Sequence, residues 1–227
     1  MSRVAAARRR GGRGHYRATV AFTGIPSAAL DFYDDLEADN SKAFWAAHKS
    51  VYDEAVRAPL EALAAELEKE FGAAKLFRPY RDVRFSKDKT PYKTHQGMWL
   101  GETSVYAQVS AAGLFVAAGY WQTSPGQVER YRRAVADDVA GPELERAVAA
   151  VRRKGMTVGG HQLSRVPSGF DKDHPRADLL RHRTLTASRE LGFPDWLHTA
   201  RAKTEIVKAW RGLRPLVTWL DTHVGRD

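Results

Sequence analysis

"GMWLGETSVYAQVSAAGLFVAAGYW", residues 97–121, decides the fold. Its three runs, "GMWL", "SVYAQVSA" and "LFVAAGYW", are rich in aromatic and β-branched residues, and turn formers separate them at Gly101 and at Ala112–Gly113. Short runs with turn signals at this spacing read as an antiparallel meander. Upstream the period becomes helical. Leu30, Phe32, Tyr33 and Leu36 form an apolar face behind Ser27, a candidate N-cap. After "ADNSKAFW", a second helix runs from about Ser41 with Phe44, His48, Val51, Tyr52 and Ala55 on one face. Pro59 suits the first turn of a third, with Leu60, Leu63, Leu67 and Phe71 as its stripe and Gly72 as its stop.

Downstream, Ser124–Pro125–Gly126 ends the meander, and Val128, Tyr131, Val135 and Val139 mark another helix. Gly141–Pro142 opens the next, carrying Leu144, Val148 and Val151. "MTVGGHQLSRVPSGFDKDHP" reads as a short strand pair and an irregular loop, followed by a short helix around Ala177–Arg181 and a strand near Thr184–Arg189. A final helical segment starts at Pro194, and Pro215 is expected to kink or split it. No repeat or linker composition interrupts the chain. The prediction is a single α+β domain over residues 18–227, an antiparallel sheet flanked by helices, preceded by a disordered basic tail at 1–17.

The formal charge of +9 is concentrated in two places. Residues 1–17 hold six arginines and no acid, residues 78–95 sum to +4, and the remainder sums to −1. The chain has no cysteine, which excludes disulfides and thiolate sites and fits a reducing cytoplasm. No apolar run has the length of a membrane span, and the basic start lacks the apolar core of a signal peptide. A cytoplasmic protein with no membrane partner is expected. The sequence leaves its oligomeric state open.

Residues 81–95, "RDVRFSKDKTPYKTH", carry six basic side chains and no glycine. Read as a strand entering a loop, residues 77–85 put Phe77, Val83 and Phe85 on the core face with Arg81 among them, and Arg78, Tyr80, Asp82 and Arg84 on the other. Arg81 then needs a carboxylate or several carbonyls, an acid of the preceding helices being the candidate partner. Arg78 and Arg84, oriented by Asp82, form a guanidinium pair suited to a phosphate or carboxylate, with Lys87, Lys89 and Lys93 as further attraction and Tyr92 as a hydroxyl and wall. Backbone phosphate loops need glycines, so recognition here is by side chains. Trp45, Lys49, Tyr52 and Tyr120 are candidate walls, against packing as the alternative.

Catalysis is less legible. His95 ends the basic stretch, and nearby cations lower a histidine's pKa, so it is a candidate base, with a strand-end hydrogen bond as the alternative. Asp82 is an orienter before it is an acid. Asp171, Asp173 and His174 invite a metal reading, but loop carboxylates of this kind commonly form turns and caps, and no metal site is predicted. No cofactor is required, and Mg²⁺ enters only as the companion of a phosphorylated ligand.

Arg78, Arg81–Asp82, Arg84–Phe85, Lys89 and Tyr92 also fall at the spacing of a known signature. By these residues the chain resembles the family catalogued as domain of unknown function 2461, bacterial proteins of about this length that also occur as a segment of larger fungal proteins. The resemblance extends over roughly residues 21–224, including "FYDDLEADNSKAFWAAHKSVYDE" and "RVPSGFDKDHP". It implies kinship and brings no activity with it. Three readings stand open: a pocket for an anionic small molecule, with hydrolysis or transfer at a phosphate as the expected chemistry if any follows; a nucleic-acid-binding module using tail and loop; and a structural ion-pair network.

Overall fold

The computed structural model describes residues 21–226, so the basic tail lies outside the described residues. Its sheet contains β1 (Ala74–Leu76), β2 (His95–Leu100), β3 (Val105–Ser110), β4 (Gly113–Tyr120), β5 (Thr157–Gly159) and β6 (Leu185–Gly192). The order across the sheet is β1-β2-β3-β4-β6-β5, and every neighbouring pair is antiparallel. The meander is therefore β2 to β4, with Met98 opposite Ala107 and Ala107 opposite Val116.

Alternation gives this sheet two unlike faces. Met98 and Leu100, Val105, Ala107 and Val109, Leu114, Val116 and Ala118, and Leu185 and Ala187 are all buried on one face. Against it pack α1 (Ser27–Ala38), α3 (Ala58–Phe71) and α7 (Arg201–His223). Here α2 (Lys42–Val51) lies beside α1, while α4 (Pro125–Ala136) and α5 (Ala140–Arg153) pack on each other and on α7. A one-turn α6 (Ala177–Leu180) sits against α4. The fold is a single α+β domain, as the periodicity predicts.

Pro59 stands in the first turn of α3, as expected, but no break precedes it, and Pro215 does not split α7. Lys42–Phe71 is continuously helical, because a π-helical segment, Tyr52–Arg57, joins α2 to α3, and the Ala58 N–H reaches back five residues to Asp53. In an α-turn the ring of Pro59 would meet the Ala55 carbonyl, and a wider turn relieves that contact. α7 runs through Pro215 without a break. Its buried stripe of Ile206, Trp210, Leu213, Leu216, Val217 and Leu220 outweighs one lost hydrogen bond. At the first helix, Pro26 is the cap residue and Ser27 begins the helix without a side-chain cap.

Candidate functional site

The basic segment is not the strand its alternation suggests. β1 stops at Leu76, and the chain makes an out-and-back excursion stitched by the Tyr80–Tyr92 bridge. The Arg81 N–H donates to the Pro91 carbonyl at 2.9 Å and the Lys93 N–H to the Pro79 carbonyl at 2.8 Å. Pro79 and Pro91 cannot donate themselves, so the ladder stays narrow. Parity fails beyond it: Phe85 is 97% exposed rather than in the core. Arg81 finds its acid inside the loop, at Asp88 with Thr90 beside it, and not in the helices.

Half of the cations expected in the anion clamp, Arg81, Arg84 and Lys89, are paired internally. Asp82 accepts from Arg84 Nε at 2.9 Å and Nη2 at 2.6 Å, which holds its carboxyl below the usual range. Asp88 is pulled down to about 2, first by the Thr90 N–H and then by Arg81. Lys89 donates to the Val83 carbonyl at 3.0 Å, and Lys49 pairs with Asp53 along its helix. Arg78 and Lys87 are exposed, and among the described residues neither has a hydrogen bond or ion pair.

The loop is anchored by two aromatic side chains in the core, Trp45 and Tyr92, and by the half-exposed Tyr80. Tyr92 stacks on Trp45 with ring centroids 4.3 Å apart, and Tyr80 packs on both. Asn40, which the sequence did not flag, clamps the Tyr92 backbone: its Oδ1 accepts from the N–H at 3.0 Å and its Nδ2 donates to the carbonyl at 3.1 Å. Tyr52 is buried and donates to Gln96 Oε1 at 2.7 Å. Trp45, Tyr52 and Tyr92 thus stand beside the loop as its buried support, not as walls of an open pocket. Tyr120 is elsewhere, on the core face of β4, donating to Asp221 at 2.7 Å.

The open space is on the other face of the sheet. A cleft of about 420 Å³ is lined by Phe77, Lys93 and His95, by Trp99 and Trp121, by Tyr106 and Phe115, and by Ala117, Ala118, Gly119, Thr186 and Ser188. Register explains the grouping: Lys75, Trp99, Tyr106, Ala117 and Ser188 form one row across five strands. Large rings on β2 and β3 followed by small residues on β4 and β6 leave a hollow. Gly97 makes room beneath it for the Tyr106 ring, whose hydroxyl would lie 2.3 Å from a Cβ there and would have to shift. That hydroxyl donates to Gln108 at 2.8 Å, and burial pushes its pKa to about 12.

Lys93 and His95 bring polarity to this apolar cleft. Burial lowers the pKa of both, Arg78 adds to the effect on Lys93, and Lys93 adds to it on His95. The direction for His95 is the expected one, although burial exceeds the neighbouring charge as its cause. Lys93 Nζ stands 5.3 Å from the Phe77 ring centroid, and among the described residues neither side chain makes a hydrogen bond. The alternation of aromatic residues at 99, 106 and 115 opposite a fully apolar face was the available sequence signal.

Elsewhere, Asp171 and His174 accept backbone N–H groups from Asp173 at 2.9 Å and Arg176 at 3.0 Å. Among the described residues no group of three or more potential ligands is placed to hold a metal ion, and no helix is long and apolar enough to cross a membrane.

Fold and site together define an α+β domain with a ligand-sized cleft on the uncovered face of its sheet. A family model described as "Conserved hypothetical protein (DUF2461)" matches residues 28–219, and the chain belongs to that family. No curated protein and no solved structure matches it.

Proposed function

We propose that the chain is a cytoplasmic binding protein for a small molecule that joins a flat, apolar body to a phosphate or carboxylate group. The observation that carries this reading is the pair Lys93 and His95, half-buried at an aromatic cleft with only cations acting on them. A buried cation without an acid is costly, and an arriving anion removes that cost. Arg78, unpaired at the surface, adds attraction. The cleft falls within the size range of ligand pockets, about 300–1,000 Å³, and its rings suit stacking. His95, neutral at pH 7, is placed as a base; beside Lys93 it suits hydrolysis or transfer at a bound phosphate, which Mg²⁺ would accompany.

A second reading has its own observation. Trp99, Tyr106, Phe115 and Trp121 spread over an open sheet face beside a basic loop, an arrangement on which unpaired bases stack. Thermal melts of the full chain against aryl phosphates, aromatic carboxylates and short single-stranded DNA separate the two. A saturating small ligand at a hundredfold excess over its Kd should raise the melting temperature by about 5–10 °C, and Lys93→Met should abolish the rise. Stabilisation by DNA alone, falling steeply with salt, would favour the nucleic-acid reading. No shift with any anion, or an unchanged shift in Lys93→Met, removes the cleft proposal.

A further inference from the structure

A separate pocket of about 330 Å³ lies where α4 meets the irregular loop, lined by Pro125, Val128, Arg132, Leu163 and Arg183. The three α4 residues recur at helical spacing and form one stripe. The facing wall is held by backbone pairing. The Leu163 N–H donates to the Arg181 carbonyl and the Arg183 N–H to the His161 carbonyl, both at 2.8 Å. The Thr123 hydroxyl donates to the Arg183 carbonyl at 2.7 Å. The main chain of Arg183 is thus fixed while its guanidinium stays exposed.

Arg132 Nε is buried and has no hydrogen-bond partner among the described residues. The acids nearby in sequence are engaged: Glu129 stands 3.8 Å from Arg133, and Asp178 3.2 Å from Arg181. Burial and then the charge of Arg183 lower the pKa of Arg132, so these two cations repel across the pocket. Arg132 is only partly withdrawn from water, but its enclosed Nε has no acceptor, and an arriving anion would supply one. The fork of arginine suits bidentate contact with phosphate or carboxylate oxygens. At the helix end, Ser124 and Gln127 satisfy each other in a capping box, so the recognition falls to side chains.

We propose that Arg132 and Arg183 form a second anion site, for the phosphate or carboxylate group of a small ligand whose aliphatic stem lies on Pro125, Val128 and Leu163. None of these residues lines the sheet cleft, so the site stands independently of it.

The test follows arginine side-chain Nε–H signals of the full chain in proton–nitrogen correlation spectra, titrating butyl phosphate and pentanoate, with sodium chloride at matched ionic strength. The Arg132 signal is identified by its loss in Arg132→Lys. It should move saturably with at least one of the two ligands, and the arm that binds names the head group. Affinity should fall about tenfold or more in Arg183→Ala and stay unchanged in Lys93→Met. Because Arg183 is exposed, its truncation should leave the melting temperature in place. Movement no greater than sodium chloride produces, or equal affinity in Arg183→Ala, overturns the proposal.

Discussion

Replacing Tyr52 by phenylalanine removes one oxygen and tests how the basic loop is tied to the sheet. Tyr52 is 4% exposed and Gln96 1%. The tyrosine hydroxyl donates to Gln96 Oε1 at 2.7 Å, and Gln96 Nε2 donates to the carbonyls of Phe77 at 2.7 Å and Gly97 at 3.0 Å. Burial pushes the Tyr52 pKa to about 12, so the hydroxyl stays a donor throughout the neutral range. Tyr52→Phe preserves shape and strands the Gln96 oxygen, and a buried acceptor without a partner costs about 1–3 kcal/mol. A chain of this size loses about 2–4 °C per kcal/mol, so a loss near 2 kcal/mol lowers the melting temperature by about 4–8 °C. Gln96→Leu strands the Tyr52 hydroxyl and the Phe77 carbonyl. The double variant should therefore be more stable than the sum of the single losses implies, because the two partners leave together. Urea unfolding followed by tryptophan fluorescence measures all three. Phe77 lines the cleft, so Tyr52→Phe should also weaken ligand binding. A melting temperature within about 1 °C of the parent, or strictly additive losses, would refute a buried bond that couples loop and sheet.

Three further outcomes are expected. Gly119 has φ +120°, and a Cβ there would lie 2.4 Å from the Leu185 carbonyl oxygen, so Gly119→Ala should cost about 3 kcal/mol or more in denaturant melts; an unaffected variant would mean that β4 and β6 part easily. His95 and His182 are held below the ordinary 6.5, chiefly by burial; Lys93 adds to this on the first and Arg181 and Arg152 on the second, where the Thr184 carbonyl and Asp178 oppose it. The unfolded chain takes up these protons at higher pH than the folded one, so stability should be greatest above 6.5 and fall as the pH drops from 6.5 toward the folded values. His95→Gln should flatten that acid limb, and a pH series with an identical slope would contradict it. Arg84→Ala removes an exposed cation already paired with Asp82, so melting temperature and aryl-phosphate affinity should both stay at parental values; lost binding would return the anion to the loop tip.

Helices and meander were legible because their signals are local. Leu60, Leu63, Leu67 and Phe71 recur with the helical period, and Val105, Ala107 and Val109 with the period of a strand, whatever lies beside them. The basic loop misled because Phe77, Val83 and Phe85 alternate like a strand while the pairing that makes a strand comes from a neighbour, and the Tyr80–Tyr92 bridge leaves Phe85 in solvent. Its arginines illustrate the same limit: sequence places Asp82 and Asp88 among them, but only the turn decides that Arg84 takes the first and Arg81 the second.

By itself, then, the sequence determined an α+β domain, its meander, its family signature and a concentration of positive charge ending at His95. Tertiary structure alone decided which of those charges lack an acid. It also set Phe77, Trp99, Tyr106, Phe115 and Trp121 around one hollow, and brought Arg132 within reach of Arg183. The reason is physical: a side chain's period records which face it occupies, whereas ion pairing and concavity depend on strand register and on contacts between residues far apart in the chain.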